Sequence, residues 1–471
     1  VETSLPVWSA ADADGVQHAV LSVPLDHADP DGARIRLKLS RIPAADPARR
    51  RGVLIALNGG PGGDDGFGAR MPVELRRGTP LNEVYDLVGF DPRGTGDSTF
   101  LGAEASPVTA NFDSRPPDEQ FPLLAADMKE REEGCSRAGG NLRRHVNTRN
   151  LARDIDFIRE SLGEEKINYI GYAYGTMVGA VFGTLFPEHL DRSVLDSCKH
   201  PDWDWRTQFK SQGPAIRSSV DAWAAWTGAR SNTYGLGVGA EAVVASVEDI
   251  AAKLAAFTPN ALLRTLLDQR IGVLAPHRAQ WDDLARLVVD LGKATSNDDQ
   301  AAAEALLAGQ SVWRPGSTMG GLREAVLEAV TLETEWPTDL ELYYADMREY
   351  RDKYPYGFGV MRAQPWVGTF ATWKHAEPVV PVARSGYPAG LVVQNDHDSW
   401  SCYEGGALMA KRLGHRMITV ADSGGHETYA FDDNEVVDEL VNRYLVEGVL
   451  PEEDVTCAGD PRPDVPADPV R

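Results

Sequence analysis

Four short segments of the 471-residue chain carry residue types that could do chemistry, and their order matters more than any one of them. Gly171-Tyr172-Ala173-Tyr174-Gly175 falls between a strand, Lys166 to Ile170, and an apolar helix that starts near Thr176. A strand–turn–helix with glycine on both flanks is the setting that presents a nucleophilic serine on a strained turn, yet here alanine stands at the centre. A methyl group has no Oγ to attack a carbonyl, so the chain as it stands is expected not to perform serine catalysis. Gln394-Asn395-Asp396-His397-Asp398 closes the strand Leu391 to Val393, where a carboxylate can orient a histidine; Asp398 is the expected acid and Asp396 the second choice. Gly424-Gly425-His426-Glu427 follows the strand Met417 to Val420, and a histidine on such a late loop can reach over the sheet as general base. Asn58-Gly59-Gly60-Pro61-Gly62-Gly63 follows the strand Val53 to Leu57; its glycines can turn N–H groups toward an anion, or make a plain tight turn.

Other chemistries find less support. Two carboxylates flank His397, but no further ligands stand at metal-site spacing, and His426-Glu427 is no zinc-protease motif because Ala430 occupies the place of its second histidine. No metal or organic cofactor is expected. Gly235-Leu236-Gly237-Val238-Gly239 lacks the preceding strand and full spacing of a nucleotide loop, and reads as an ordinary loop.

These segments need a scaffold. Ile35, Leu37 and Leu39 alternate with polar residues and should pair with the stretch around Val20 to Val23 as an antiparallel hairpin. Val53 to Leu57, Tyr85 to Phe90, Ile167 to Ile170, Ser193 to Leu195 and Leu391 to Val393 are short apolar runs, the mark of buried parallel strands. A helix from about Thr148 to Leu162 is expected, capped by Thr148 and stopped by Gly163, with Leu151, Ile155 and Ile158 on the sheet. The stretch 200–385 breaks the rhythm with helical spacing and no convincing strand, and a helix near Glu435 to Val446 follows the last strand. The expected architecture is an α/β-hydrolase sheet domain, residues 1–199 and 386–458, split by a helical cap, 200–385, with a flexible tail, 459–471. The order elbow, Asp398, His426 is the order of that fold.

Composition narrows the partners. Lys plus Arg number 47 against 70 Asp plus Glu, a net charge of −23, which disfavours nucleic acid and anionic membranes. No apolar run approaches the roughly 18–20 residues of a membrane helix. Cys135, Cys198, Cys402 and Cys457 form neither a disulfide scaffold nor a C-x-x-C motif. The chain begins at Val1, as a mature secreted protein or a trimmed chain does; export is the expectation, with a cytoplasmic setting the alternative.

Taken together, Asn58 to Gly63, Gly89-Phe-Asp-Pro-Arg-Gly-Thr-Gly-Asp-Ser98, Asn168 to Thr176 and Tyr444-Leu-Val-Glu-Gly-Val-Leu-Pro451 resemble the tripeptidyl aminopeptidases of actinomycetes, which belong with the proline iminopeptidases in the α/β-hydrolase fold. The resemblance spans roughly Val20 to Cys457 and is weak in the cap. It implies that Ala173 occupies the nucleophile position, Asp398 is the acid, His426 the base, and the N–H groups of Gly60 and Tyr174 form the oxyanion hole. Arg93 is expected to tie down neighbouring carbonyls or carboxylates. Such enzymes also need acid in the cap to hold a protonated α-amino group; Glu333 and Glu335 are the candidates, with Trp336, Trp366 and Trp373 as pocket walls, although a solvated acidic face and a cap core are the bland alternatives. The cysteine pair that the family often carries near Leu332 and Phe370 is missing here. Cys402 with Cys457, and Cys135 with Cys198, are candidate bridges.

The expected activity is that of a serine exopeptidase that releases short peptides from free N-termini, probed in a serine-to-alanine form, acting as a monomer on peptide substrates. Engineered inactivation explains Ala173 better than natural loss, because Asp398, His426 and both elbow glycines remain. The alternatives are an esterase, lactonase or peptide-tailoring hydrolase, and a natural peptide-binding pseudoenzyme.

Overall fold

Alternation decides the first two strands. In β1 (Gln17–Pro24) and β2 (Arg34–Ile42), Val23 lies opposite Ile35, Leu21 opposite Leu37 and Ala19 opposite Leu39, all six buried. The computed structural model describes residues 5–62, 67–308, 318–319 and 322–469. Gly63, the last glycine of the glycine-rich turn, and residues 470–471 of the tail lie outside the described residues.

The strands that follow are β3 (Val53–Leu57), β4 (Asp86–Phe90), β5 (Ile167–Tyr172), β6 (Leu190–Asp196), β7 (Leu391–Asn395), β8 (Arg416–Ala421) and β9 (Val455–Ala458). They form one nine-stranded sheet in the order β1-β2-β4-β3-β5-β6-β7-β8-β9, parallel from β4 onward. Every residue of β3, β4, β5 and β7 is buried, as continuous apolar runs in the middle of a helix-covered sheet require. β9 carries no such signal, since it is a short edge strand with Thr456 and Ala458 exposed.

The helix Thr148–Ser161 lays Leu151, Ile155 and Ile158 on the sheet. Its cap differs from expectation. Asn147, with extended backbone, accepts the N–H of Asn150 at 2.8 Å, while Thr148 sits inside the first turn and spends its hydroxyl on the Tyr174 hydroxyl, also at 2.8 Å. Gly163 follows with φ 73°, in the left-handed region.

Between β6 and β7 the helices Trp205–Gly228, Ala240–Phe257, Leu262–Leu274 and Trp281–Ser296 enclose a second core around Trp223, Val247, Leu267, Trp281 and Leu284. The segment is not purely helical: Thr318–Met319 and Leu322–Glu324 pair, and the second of these adds to Gly102–Ala103. Two- and three-residue strands are too short to show a period in sequence. Gly235 to Gly239 is a loop, as expected.

Two expectations are corrected. All four cysteines are free thiols, three of them buried, so neither proposed bridge forms. The tail from Gly459 is tied down through its described length: Gly459 N–H bonds the Ala421 carbonyl at 2.9 Å, Arg462 pairs with Asp422 at 2.6 Å and stacks on Trp281, and Asp468 N–H bonds the Ala229 carbonyl at 2.8 Å. Its Pro- and Asp-rich composition reads as disorder, but Val465 packs on the helical core and its carbonyl receives Arg230. No helix among the described residues is long and apolar enough to cross a membrane.

Candidate functional site

The elbow is shaped by space. A Cβ on Gly171 would lie 2.4 Å from the Gly175 carbonyl oxygen, and one on Gly175 would lie 2.5 Å from that of Leu57. Only glycine fits at either flank. Between them Ala173 adopts φ 49°, ψ −115°, a costly conformation for any residue with a side chain. It is over-determined by its partners: Ala173 N–H donates to the Asp196 carbonyl at 2.9 Å, and its own carbonyl accepts the Thr176 hydroxyl at 2.6 Å.

Asp398 and His426 lie side by side. Asp398 is buried, one carboxylate oxygen accepting the N–H groups of Trp400 at 2.8 Å and Ser401 at 3.0 Å, the other facing His426 Nδ1 at 2.8 Å. Asp396, the second choice, accepts the N–H groups of Asp422 and Ser423 instead and ties the ends of β7 and β8 together. Burial disfavours a charged His426, but the adjoining Asp398 carboxylate outweighs it, and the imidazole is held up to about 9. An imidazole with Nδ1 held by a buried carboxylate has Nε2 left to take a proton from a nucleophile.

A cavity of about 270 Å³ opens at this point, lined among others by Gly60, Ala173, Tyr174, Phe209, Arg362 and His426. Gly59 packs so closely that a Cβ there would stand 2.5 Å from that of Ala173. Gly60, at φ 120°, and Tyr174, at the first turn of the helix Tyr174–Leu185, both border the space beside Ala173. A second chamber of about 170 Å³ shares Gln212, Trp400 and His426 and is lined further on by His277 and Asp432.

The expected cap residues fare differently. Glu335 is exposed and pairs with Lys374 at 2.6 Å, outside any cavity described above. Glu333 accepts both the N–H and the hydroxyl of Thr148 and lines an adjoining cavity of about 290 Å³ with His375 and Glu377, which shares Lys199 and Trp205 with the cavity beside Ala173; burial raises its pKa. Neither carboxylate lines the Ala173 cavity. Trp336 donates its indole N–H to the Thr331 carbonyl and packs behind Phe209, so it backs the wall without forming it; Trp366 does the same beside it. Trp373 stacks on Arg143 and Arg144, away from the site. The physical reason is shared: aromatic and acidic residues in a helical segment satisfy their own neighbours first. Arg93 behaves as expected, buried, with two nitrogens on Asp154 at 2.6 Å each and others on the carbonyls of Pro24, Leu25 and His145.

Comparison with known proteins bears on the same segments. The α/β-hydrolase fold family matches residues 52–233, and the TAP-like protein family matches residues 363–457. Tripeptidyl aminopeptidase of Streptomyces lividans is 32% identical over 95% of this chain and 85% of its own length. The chain belongs to the tripeptidyl aminopeptidase-like family of α/β-hydrolases. Serine protease Hip1 of Mycobacterium tuberculosis is 27% identical over 93% of this chain and 86% of its own, and carboxylesterase B of the same species is 28% identical over the same shares. The first family segment contains Gly60, Ala173 and Tyr174, the second Asp398 and His426; residues 234–362, most of the helical insertion, fall between them.

Three positioning residues escaped the sequence reading. Asp196 accepts the Tyr429 N–H at 2.7 Å, Ser197 Oγ accepts the Glu427 N–H at 2.8 Å, and Asn395 donates to the Thr428 hydroxyl at 2.7 Å. Together they clamp the loop that follows His426 onto the ends of β6 and β7. The available signal was an aspartate directly after the apolar run Ser193 to Leu195, since a carboxylate buried at a strand end must have fixed donors.

Proposed function

We propose that the protein is a serine exopeptidase of the tripeptidyl aminopeptidase type, with alanine at the nucleophile position in this chain, residues 200–385 acting as the cap over the cleft. The observation that carries the reading is the pairing of His426 Nδ1 with buried Asp398 at 2.8 Å beside an elbow whose central residue stands at φ 49°. With serine at position 173, its Oγ attacks the scissile carbonyl while His426 Nε2 takes the hydroxyl proton, and Asp398 stabilises the imidazolium. The oxyanion is met by the N–H groups of Gly60 and Tyr174. His426 then gives its proton to the leaving amine, and a water activated by the same nitrogen releases the acyl-enzyme as a free carboxylate. No step calls for a metal or organic cofactor. The chain as it stands retains every group except Oγ, so it binds substrate without cleaving it.

The test is Ala173→Ser assayed on two tripeptide anilides that differ only in a free or acetylated N-terminus. Turnover of the free form alone supports the exopeptidase. A second reading, an esterase or peptide-tailoring hydrolase with no need for a free amine, is favoured by one observation: neither cap candidate, Glu333 or Glu335, lines the cavity beside Ala173, where the carboxylate is Glu427. Equal turnover of both anilides is its signature. Silence on both, and on an ester panel, with the fold intact, points instead to a peptide-binding protein.

A further inference from the structure

Arg362 lines the Ala173 cavity and, among the described residues, has no carboxylate in ion-pair range. It lies on the short helix Gly359–Ala363, its guanidinium over the rings of Phe209, Phe358 and Trp400 at 5.1, 5.5 and 5.7 Å from their centroids. Its Nε is buried without a hydrogen-bond partner, and no carboxylate among the described residues acts on it. Other buried arginines are treated quite differently: Arg93 is held by Asp154, Arg143 by Glu132, and Arg115 by Asp268 and Glu248. A half-buried guanidinium with no acidic partner costs free energy that stacking on aromatic faces offsets only in part.

The cavity holds a second cation, Lys199, and one carboxylate, Glu427. Lys199 also lines it, its ammonium donating to the carbonyls of His200 and Trp203 and resting over Trp205, with no carboxylate in ion-pair range. Burial lowers Lys199 to about 8 against the pull of Glu333, Asp204 and Asp202, and lowers Arg362 to about 10 with no carboxylate opposing it. Gln208, on the same wall, donates its amide N–H to the Trp400 carbonyl and leaves a buried amide oxygen unpartnered, free to accept an N–H from a ligand.

We propose that Arg362 is a substrate-binding residue that receives a carboxylate in the cavity beside Ala173, so that the protein selects acidic peptides. Three aromatic rings surround the guanidinium, and no hydrogen bond occupies its terminal nitrogens among the described residues, which leaves a fork that suits a carboxylate. The peptide nature of the ligand rests on the function proposed above; the charge preference does not. The carboxylate can be a Glu or Asp side chain or the C-terminus of a short peptide.

The test uses the chain as it exists, where Ala173 prevents turnover. Calorimetric titration compares tetra-alanine as free acid, the same peptide as C-terminal amide, and a C-terminally amidated tetrapeptide with one glutamate. At least one carboxylate peptide should bind about tenfold or more tighter than the tetra-alanine amide, and Arg362→Gln should erase that ratio. Preference for the free acid identifies the C-terminus, and preference for the glutamate peptide identifies a side chain. Arg362→Lys keeps charge and stem and loses the fork, so it should retain part of the ratio; it decides the matter if the Gln variant fails to fold. Equal or absent binding of all three peptides, or a ratio unchanged in a folded variant, overturns the proposal. If Ala173→Ser cleaves neutral anilides while the ratio is flat, the peptidase reading stands and the Arg362 assignment falls. If Ala173→Ser is inert while the ratio exists and is lost with Arg362→Gln, the reverse holds.

Discussion

The carboxylate of Asp196 accepts the backbone N–H of Tyr429 at 2.7 Å, while the carbonyl of the same residue accepts the N–H of Ala173 at 2.9 Å. One residue at the end of β6 thus holds both halves of the site, the elbow on one side and the loop of His426 on the other. Asp196→Ala removes the acceptor for the buried Tyr429 N–H, which costs about 1–3 kcal/mol for a stranded donor. Urea unfolding should show that loss. In the Ala173→Ser background the same change should lower kcat more than it raises KM, because the imidazole drifts while the cavity walls stay.

The pairing of His426 with Asp398 sets a pH dependence. Its imidazole is held up to about 9, from an ordinary 6.5, and only the neutral ring acts as base. In Ala173→Ser, kcat/KM should therefore rise with pH along a limb whose midpoint lies well above 6.5, toward 9. Asp398→Asn should move that midpoint down and cut kcat by a factor on the order of 10³–10⁴. The same raised value means that the pair stabilises the fold fully below 6.5 and that this contribution is lost as pH climbs through about 9. Thermal melts of the Ala173 chain from pH 6 to 10, with and without Asp398→Asn, check the sign.

Arg93 and Asp154 form a buried pair far more consequential than any surface bridge, with His27 on the same carboxylate at 2.8 Å. Arg93→Met strands the Asp154 charge and leaves the Pro24, Leu25 and His145 carbonyls without their donor. Loss of about 3–5 kcal/mol is expected, read by denaturant unfolding, whereas Lys374→Ala at the exposed pair with Glu335 should cost less than about 1 kcal/mol.

The free thiols give a chemical check on the fold. Burial holds Cys135 and Cys402 up to about 11 and pushes Cys198 higher still, so none should react readily in the native state near neutral pH. In denaturant, a chromogenic thiol reagent should titrate all four, and a reductant should leave the melting temperature unchanged. Fewer than four thiols would mean that a bridge forms after all.

What was legible in the sequence follows from locality. Ala173 between two glycines, Asp398 after β7 and His426 on a glycine-rich loop each declare themselves within a few residues, because strand ends and tight turns restrict residue type where they occur. The same holds for the hairpin, whose alternation survives as the facing pairs Leu21–Leu37 and Val23–Ile35. Contacts made across the fold left no such trace. Thr148 looked like a cap, yet it serves Tyr174 and Glu333, 26 and 185 residues away along the chain. Glu335 and Trp336 stand out by residue type, but both lie in the extended connection after Glu333, where Glu335 faces solvent and Trp336 packs behind Phe209. Nothing near Arg362 in sequence distinguishes it from other charged positions of a helical segment; its three surrounding aromatic rings come from positions 209, 358 and 400, and only the fold brings the first and last of them together.

The most direct test of the central claim, that this site lacks only a nucleophilic oxygen, is labelling of Ala173→Ser with a serine-directed fluorophosphonate, read by intact-mass spectrometry beside the alanine chain and the double variant Ala173→Ser, His426→Ala. The account predicts one adduct per chain at position 173 in the single variant, none in the alanine chain, and a rate reduced by orders of magnitude when His426 is removed as well. A folded Ala173→Ser protein that stays unlabelled, or labels at the same rate without His426, would contradict it.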